Sequence, residues 1–158
     1  MSSKITFILF FFFCSLSEII RAKTELPAIF GNHMVLQRDK PVPVWGWSED
    51  GQEVRVSFGG KTATGKAGKD GRWEVRLPAM KANDPGRELS IEGTEQIIIK
   101  DVLVGEVSVC PGQSNLEWPV TGALNPNEER QAANHPKIRH SKDPKLPSDS
   151  QHTNYTTN

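Results

Sequence analysis

One serine in this chain stands where a hydrolytic nucleophile would stand. Ser114 follows a short apolar run, Val107-Ser108-Val109-Cys110, and a Pro111-Gly112 corner. That order holds a hydroxyl rigidly from behind and leaves it open in front. Glycine at 112 permits a sharp backbone turn and close approach of a substrate. A serine so placed attacks an ester carbonyl once a base takes its proton and N–H donors receive the oxyanion. The backbone N–H of Ser114 can supply one such donor, with Gly112, Gln113 and Asn115 supporting the loop. The Gly-x-Ser-x-Gly elbow of α/β-hydrolases is excluded, because position 116 is Leu. Gly-Gln-Ser by itself is also an ordinary turn sequence.

Candidates for the rest of the machinery are weaker. Asp149-Ser150-Gln151-His152 has the Asp-x-x-His spacing of an acid–base pair, but it lies in a polar tail without an element to hold it. His135 and His140 flank a proline-containing stretch and read as solvated, while His33 belongs to the N-terminal β region. None of these histidines has the His-x-x-x-His spacing of a metal site, so no metal and no cofactor is expected. Cys110 is either a second nucleophile or a small buried packing residue. No His or Lys adjoins it in sequence to activate the thiol, which favours packing.

The elements that must position Ser114 are β-strands. Val54, Val56 and Phe58 alternate with Arg55 and Ser57; Trp73, Val75 and Leu77 alternate with Glu74 and Arg76; Leu89 and Ile91 alternate with Ser90 and Glu92. Period two with one polar face predicts half-buried antiparallel strands. Turn signals separate them: Glu49-Asp50-Gly51, Gly59-Gly60, Asp70-Gly71, Asp84-Pro85-Gly86 and Glu92-Gly93. Gly59-Gly60 and Asp70-Gly71 suit two-residue hairpins. Pro41 and Pro43 assign their strand to an edge. The expectation is a mainly β protein whose residues 23–104 form an antiparallel sandwich of about seven strands. Its core candidates are Val44, Trp45, Val54, Val56, Phe58, Trp73, Val75, Leu77, Leu89, Ile91, Ile97 and Ile99. Trp45 and Trp47 share one face, as a sugar-stacking platform or, the better-supported use, as packing.

Ile97–Val104 is expected as the last strand of that sandwich. Glu106–Cys110 is then the first strand of a second, parallel-type sheet, with Ser114 past its carboxyl end, where open α/β sheets place ligands. Asn125 to Ala133 predicts a short helix, capped by Asn125 or Asn127 and carrying Pro126 in its first turn. Lys137 to Asn158 is polar and aperiodic, and reads as a disordered tail. It contains one glycosylation sequon, Asn154-Tyr155-Thr156, meaningful in a eukaryotic secretory pathway.

The string around Ser114 resembles the sialate O-acetylesterase family, a carbohydrate-esterase branch of the SGNH hydrolases. The residues that carry the resemblance are Gly105-Glu106-Val107, Val109-Cys110, Gly112-Gln113-Ser114-Asn115 and Glu117-Trp118-Pro119-Val120. It continues through Leu36-Gln37-Arg38, Pro41-Val42-Pro43-Val44-Trp45-Gly46-Trp47, Asp70-Gly71-Arg72-Trp73 and His135-Pro136-Lys137-Ile138-Arg139. Ser108, Pro111 and Leu116 depart from the family's usual Trp, Ser and Met. The resemblance implies that Ser114 is the nucleophile and that the substrate is an acetylated carbohydrate, a sialic acid or a plant-type polysaccharide. It further implies a Gly and an Asn from later loops for the oxyanion and an Asp/His pair near the chain's end. None of these four is matched by a residue here, and Asn115 is not the separate oxyanion Asn.

The first 22 residues form a distinct segment. Lys4 precedes an apolar core from Ile5 to Leu16, with four phenylalanines from Phe10 to Phe13. That reads as a secretory signal, cleaved after Ser17 or Ala22, and the alternative is a retained anchor. Secretion or export to a periplasm follows. Cleavage removes Cys14 and leaves Cys110 without a disulfide partner. Nineteen basic and nineteen acidic side chains cancel, and no basic face suggests nucleic acid. No membrane contact is expected beyond the signal. Residues 105–158 are expected to be a truncated start of a hydrolase domain, too short to cover its own sheet and inactive alone. The competing expectation is a secreted, non-catalytic β-sandwich that binds or supports.

Overall fold

A computed structural model describes residues 23–110 and 118–141. The chain is mainly β. Seven strands follow in order: β1 Val35–Gln37, β2 Val42–Trp47, β3 Glu53–Phe58, β4 Lys61–Lys66, β5 Arg72–Leu77, β6 Arg87–Glu92 and β7 Gln96–Gly105. They make a five-stranded sheet, β1-β7-β6-β3-β4, and a two-stranded sheet, β2-β5. One hydrophobic core takes residues from both sheets. Val42, Val44, Trp73, Val75 and Leu77 come from the smaller sheet; Val54, Val56, Phe58, Leu89, Ile91, Ile99, Val102 and Val104 come from the larger. The alternation that identifies the strands in sequence is the alternation that fills this core, since period two sends every second side chain inward.

Local turn chemistry explains part of the topology. Phe58 pairs with Lys61, so β3 and β4 are joined by Gly59-Gly60 alone. Both glycines have positive φ, 55° and 76°, as a type I′ hairpin demands. Asp70-Gly71 behaves differently from expectation. Gly71 does turn with φ 76°, but β4 pairs with β3 and β5 with β2, so this turn carries the chain from one sheet to the other. β2 is an edge strand, as its prolines require; beyond β5 it meets only a single bridge from Glu25 to Trp47. Trp45 lies on the outer face of β2, half-buried, with Phe30 edge-on to it at 4.8 Å between ring centroids. Trp45 is therefore not a core residue, and Ile97 packs at the core margin.

Two features set up the end of the module. β1 pairs with β7 in parallel, Val35 opposite Leu103 and Gln37 opposite Gly105, so the sheet is not wholly antiparallel. β7 also carries a bulge. Leu89 pairs with Ile99 but Arg87 with Val102, which leaves one extra residue on β7. Asp101 occupies that place with φ 55°. A bulged residue in left-handed conformation bends the strand and re-aims its side chain. Past the bulge, Asn83 pairs with Val104 like a short strand: its N–H donates to the Val104 carbonyl at 3.2 Å and its Oδ1 accepts from the Val104 N–H.

Candidate functional site

Gly112, Gln113, Ser114 and Asn115 lie outside the described residues, as do Asp149 and His152, the signal segment and the sequon. What the structure places is the frame on either side of Ser114. Glu106–Cys110, expected as a first strand of a second sheet, carries no strand assignment, and all five residues are exposed. The apolar run has strand propensity, but propensity is realised only when a neighbour supplies the other half of the ladder. Cys110 is accordingly exposed rather than packed.

The chain leaves the module through a polar junction. The Gly105 carbonyl accepts from the Arg38 N–H at 2.9 Å. Gln37 then uses both ends of its amide: Oε1 accepts from the Val107 N–H at 2.9 Å and Nε2 donates to Glu106 Oε2 at 3.2 Å. Arg38 Nε lies 3.2 Å from Glu106 Oε1 and 2.9 Å from Asp39 Oδ2. Asp39 also meets Lys81 Nζ at 2.6 Å. Lys81 first, and Arg38 second, hold the Asp39 carboxyl below the usual carboxylate range.

The chain then returns to the module. After Trp118 come a single 3₁₀ turn, Val120–Gly122, and one helix, α1, Pro126–Ala132. Proline at the first helical position matches the sequence expectation, and the helix stops before His135-Pro136. Asn125 is the N-cap residue with φ 57°, but its side chain makes no capping bond. Arg139 follows, and it is largely buried although its neighbours are exposed. Its Nη2 donates to Asp101 Oδ2 at 2.9 Å, and its Nη1 reaches the Asp101 carbonyl and the Met34 carbonyl, the latter at 3.3 Å. His33 Nδ1 donates to the same Asp101 Oδ2 at 2.7 Å. Lys137 meets Asp84 nearby. His33, and next Arg139, hold the Asp101 carboxyl below the ordinary range. Lys137–Ser141 is thus held on the module rather than being the start of a disordered tail.

The His33–Asp101 pair has the shape of an oriented imidazole. One feature argues against a catalytic dyad: the oxygen that would orient the ring is already shared with a guanidinium, which neutralises the carboxylate. The group reads instead as a fastening. His135 and His140 are exposed. Among the described residues no cluster of His, Cys, Asp and Glu could hold a metal ion. Sequence reasoning missed Arg139 and Asp101 as partners. The available signal was Asp101 itself, a charged residue interrupting the apolar run from Ile97 to Val104.

No family model matches the chain. Its structure is similar to that of a carbohydrate acetylesterase from Xanthomonas citri, with TM-score 0.79 and 41% sequence identity. That match covers 85% of this chain and 31% of the other. Sialate O-acetylesterases from rat and human are 31% and 32% identical to it, each over 62% of this chain. This part of the molecule is sialate O-acetylesterase-like. The chain spans about a fifth of the length of those curated relatives, 20% for the rat protein and 21% for the human.

Proposed function

We propose that this chain is the N-terminal part of a carbohydrate O-acetylesterase and that Ser114 is its nucleophile. The observation that carries the reading is the 41% identity over 85% of the chain with a solved carbohydrate acetylesterase. On this reading the module is a β-sandwich, and the residues after Gly105 open an SGNH-type hydrolase domain. Ser114 Oγ attacks the acetyl carbonyl carbon while a base takes the hydroxyl proton. The C–O bond to the sugar breaks, and the sugar oxygen leaves with that proton. Water then cleaves the acetyl-serine, giving acetate and the free serine. The Ser114 N–H donates to the oxyanion, and Gly112, Gln113 and Asn115 shape the loop. No residue of this chain is assigned as the base or its acid partner, and His33, the carboxylate-bound imidazole among the described residues, shares its carboxylate with Arg139. No cofactor enters this chemistry. The substrate class is an acetylated sugar, and the setting is extracellular or periplasmic.

A second reading has one observation in its favour. Among the described residues, every member of the buried core lies between Leu36 and Val104. The module therefore closes its core without the serine segment, and could serve alone as a secreted binding or supporting unit. Acetate release from an O-acetylated sugar by the full-length protein decides between them. Ser114→Ala is expected to lower turnover by about three orders of magnitude or more, as loss of a serine nucleophile does. Near-native turnover in that variant refutes the nucleophile assignment, and no turnover in either protein leaves the module reading.

A further inference from the structure

We propose that the outer face of the β2–β5 sheet is a carbohydrate-binding surface, on which Trp45 and Trp47 stack the rings of a neutral polysaccharide; the ligand class rests on the carbohydrate esterase reading above. β2 buries Val42, Val44 and Gly46 and turns Pro43, Trp45 and Trp47 to its other face. Among the described residues, neither of these tryptophans belongs to the core or to the partly buried side chains packed on it, and each stays partly exposed. Trp73, on the neighbouring strand β5, shows what the core does with an indole: it is 1% exposed. The outward pair is therefore not what closes the core.

Strand register fixes the neighbours of each indole. Trp47 lies opposite Arg72 on β5 and opposite Glu25 on its other side. Residues paired across antiparallel strands share a face, so a guanidinium stands on one flank of Trp47 and a carboxylate on the other, both exposed. Trp45 lies opposite Glu74, whose Oε1 meets Arg76 Nη2 at 2.7 Å. Both tryptophans are held in place. Glu25 and Trp47 exchange two backbone hydrogen bonds of 2.8 and 2.9 Å, and Phe30 packs edge-on against Trp45. Gly46, between them, lies too close to the Glu25 carbonyl and the Trp73 ring to admit a Cβ. A rigid aromatic side chain offers a large contact area at a low cost in conformational entropy.

That combination selects among occupants. A pyranose has an apolar face of C–H bonds and hydroxyls around its rim. It fits an aromatic floor with donors and acceptors at the edge, the mixture of apolar lining and few placed polar groups that orients ligands in general. Arg72 offers donors and Glu25 offers acceptors, which together meet both roles of a hydroxyl. Arg72 and Arg76 balance Glu25 and Glu74, so these four side chains carry no net charge and give a polyanion no advantage. A protein partner would have to bury the same charges, which is costly unless each finds its own counterpart. A sheet face is a surface rather than a cleft, and it suits a chain lying across it better than a single small sugar.

The test uses the full-length protein and its Trp47→Ala, Arg72→Ala and Ser114→Ala variants. Affinity electrophoresis measures binding to deacetylated xylan, glucomannan and galactan, with polysialic acid as the anionic probe. Melting temperature and acetate release from the acetylated polymers are measured alongside. The wild-type protein should bind at least one neutral polymer, and bind polysialic acid more weakly. Trp47→Ala should lose at least about tenfold in affinity, as truncation of an aromatic anchor does, and Arg72→Ala should lose less, both without a change in melting temperature. Ser114→Ala should bind as the wild type does. Failure to bind any neutral polymer overturns the proposal, as does wild-type affinity in both Trp47→Ala and Arg72→Ala, or tighter binding of polysialic acid. If Trp47→Ala melts lower and Arg72→Ala binds as the wild type, the face is a packing surface of the protein and the proposal is refuted. Acetate release judges the esterase reading by itself: if Ser114→Ala keeps it, the nucleophile assignment fails while the binding data still judge the face.

Discussion

Leu89 and Leu124 are the same residue in two regions of one chain, and their fates are opposite. Leu89, in the module, is fully buried; Leu124, beyond Gly105, is 88% exposed. Trp73 and Trp118 repeat the contrast at 1% and 69%. Among the described residues, six of the eight large apolar side chains that are exposed follow Gly105: Val107, Val109, Trp118, Val120, Leu124 and Ile138. Large apolar side chains occur in both regions. What separates them is a facing surface. β2 and β5 give the larger sheet something to cover, and both faces of that contact come from residues already in the module. Glu106–Cys110 has apolar residues but no paired strand, and its side chains stay outside. Hydrophobicity here is a requirement for a partner, and among the described residues the module is the part that meets it.

The sharpest way to break this comparison is to treat the two tryptophans alike. Trp73→Ala should destabilise the protein by about 3–5 kcal/mol, the usual cost of emptying an aromatic site in a packed core. Trp118→Ala should change stability by no more than about 0.5 kcal/mol. Urea unfolding followed by circular dichroism checks both. Equal losses would mean that Trp118 is part of a cooperative unit with the module.

A smaller effect sharpens the description of the module's tight side. Gly46 faces inward on β2, where a Cβ would collide with the Glu25 carbonyl oxygen and come within 2.9 Å of the Trp73 ring. Gly46→Ala should cost about 1–3 kcal/mol, the range for overpacking. A neutral result in the same unfolding assay would show that the Glu25 bridge yields easily.

The smallest effect lies in the second region and depends on pH. Asp101 faces His33 and Arg139, and its folded pKa is depressed. A depressed carboxylate contributes fully above its unfolded pKa and loses that contribution as pH falls through the lower, folded value. Exchange protection at 137–141 should therefore be flat from neutral pH down to the ordinary carboxylate range and fall below it. Asp101→Asn should remove that step. Protection that decays already between pH 7 and 5 in wild type would point to another group.

Much of the module is legible in sequence. Val54-Arg55-Val56-Ser57-Phe58 writes its strand in period two, and Gly59-Gly60 writes the hairpin that follows. Ten of the twelve expected core residues are buried; Trp45 and Ile97 are the exceptions. The choice of partner is not written locally. Asp70-Gly71 signals a turn whether the next strand folds back or crosses to another sheet, and here it crosses. Val35-Leu36-Gln37 is too short to show a period, and its parallel pairing with β7 joins residues far apart in the chain. For the site, the sequence offers Ser114 and its neighbours, which the described residues do not include. It conceals the frame, because Asp101 and Arg139 are brought together by the bulge and the return of the chain rather than by spacing.

That bulge has a consequence for what changes of length the chain tolerates. Inward positions on β7 run Ile97, Ile99, Val102, Val104, with a gap of three in a series of twos. Remove Asp101 and the series becomes regular, with the same four side chains facing the core. The strand thus contains one residue more than its hydrophobic pattern calls for, and the surplus residue carries the carboxylate that Arg139 grips. A one-codon deletion there would leave the core in phase and strip out the fastening, whereas a one-codon deletion at Val102 would leave the charged side chain in the inward place. Adjacent positions in the gene therefore encode separable properties, closure of the core at one and the hold on Arg139 at the other.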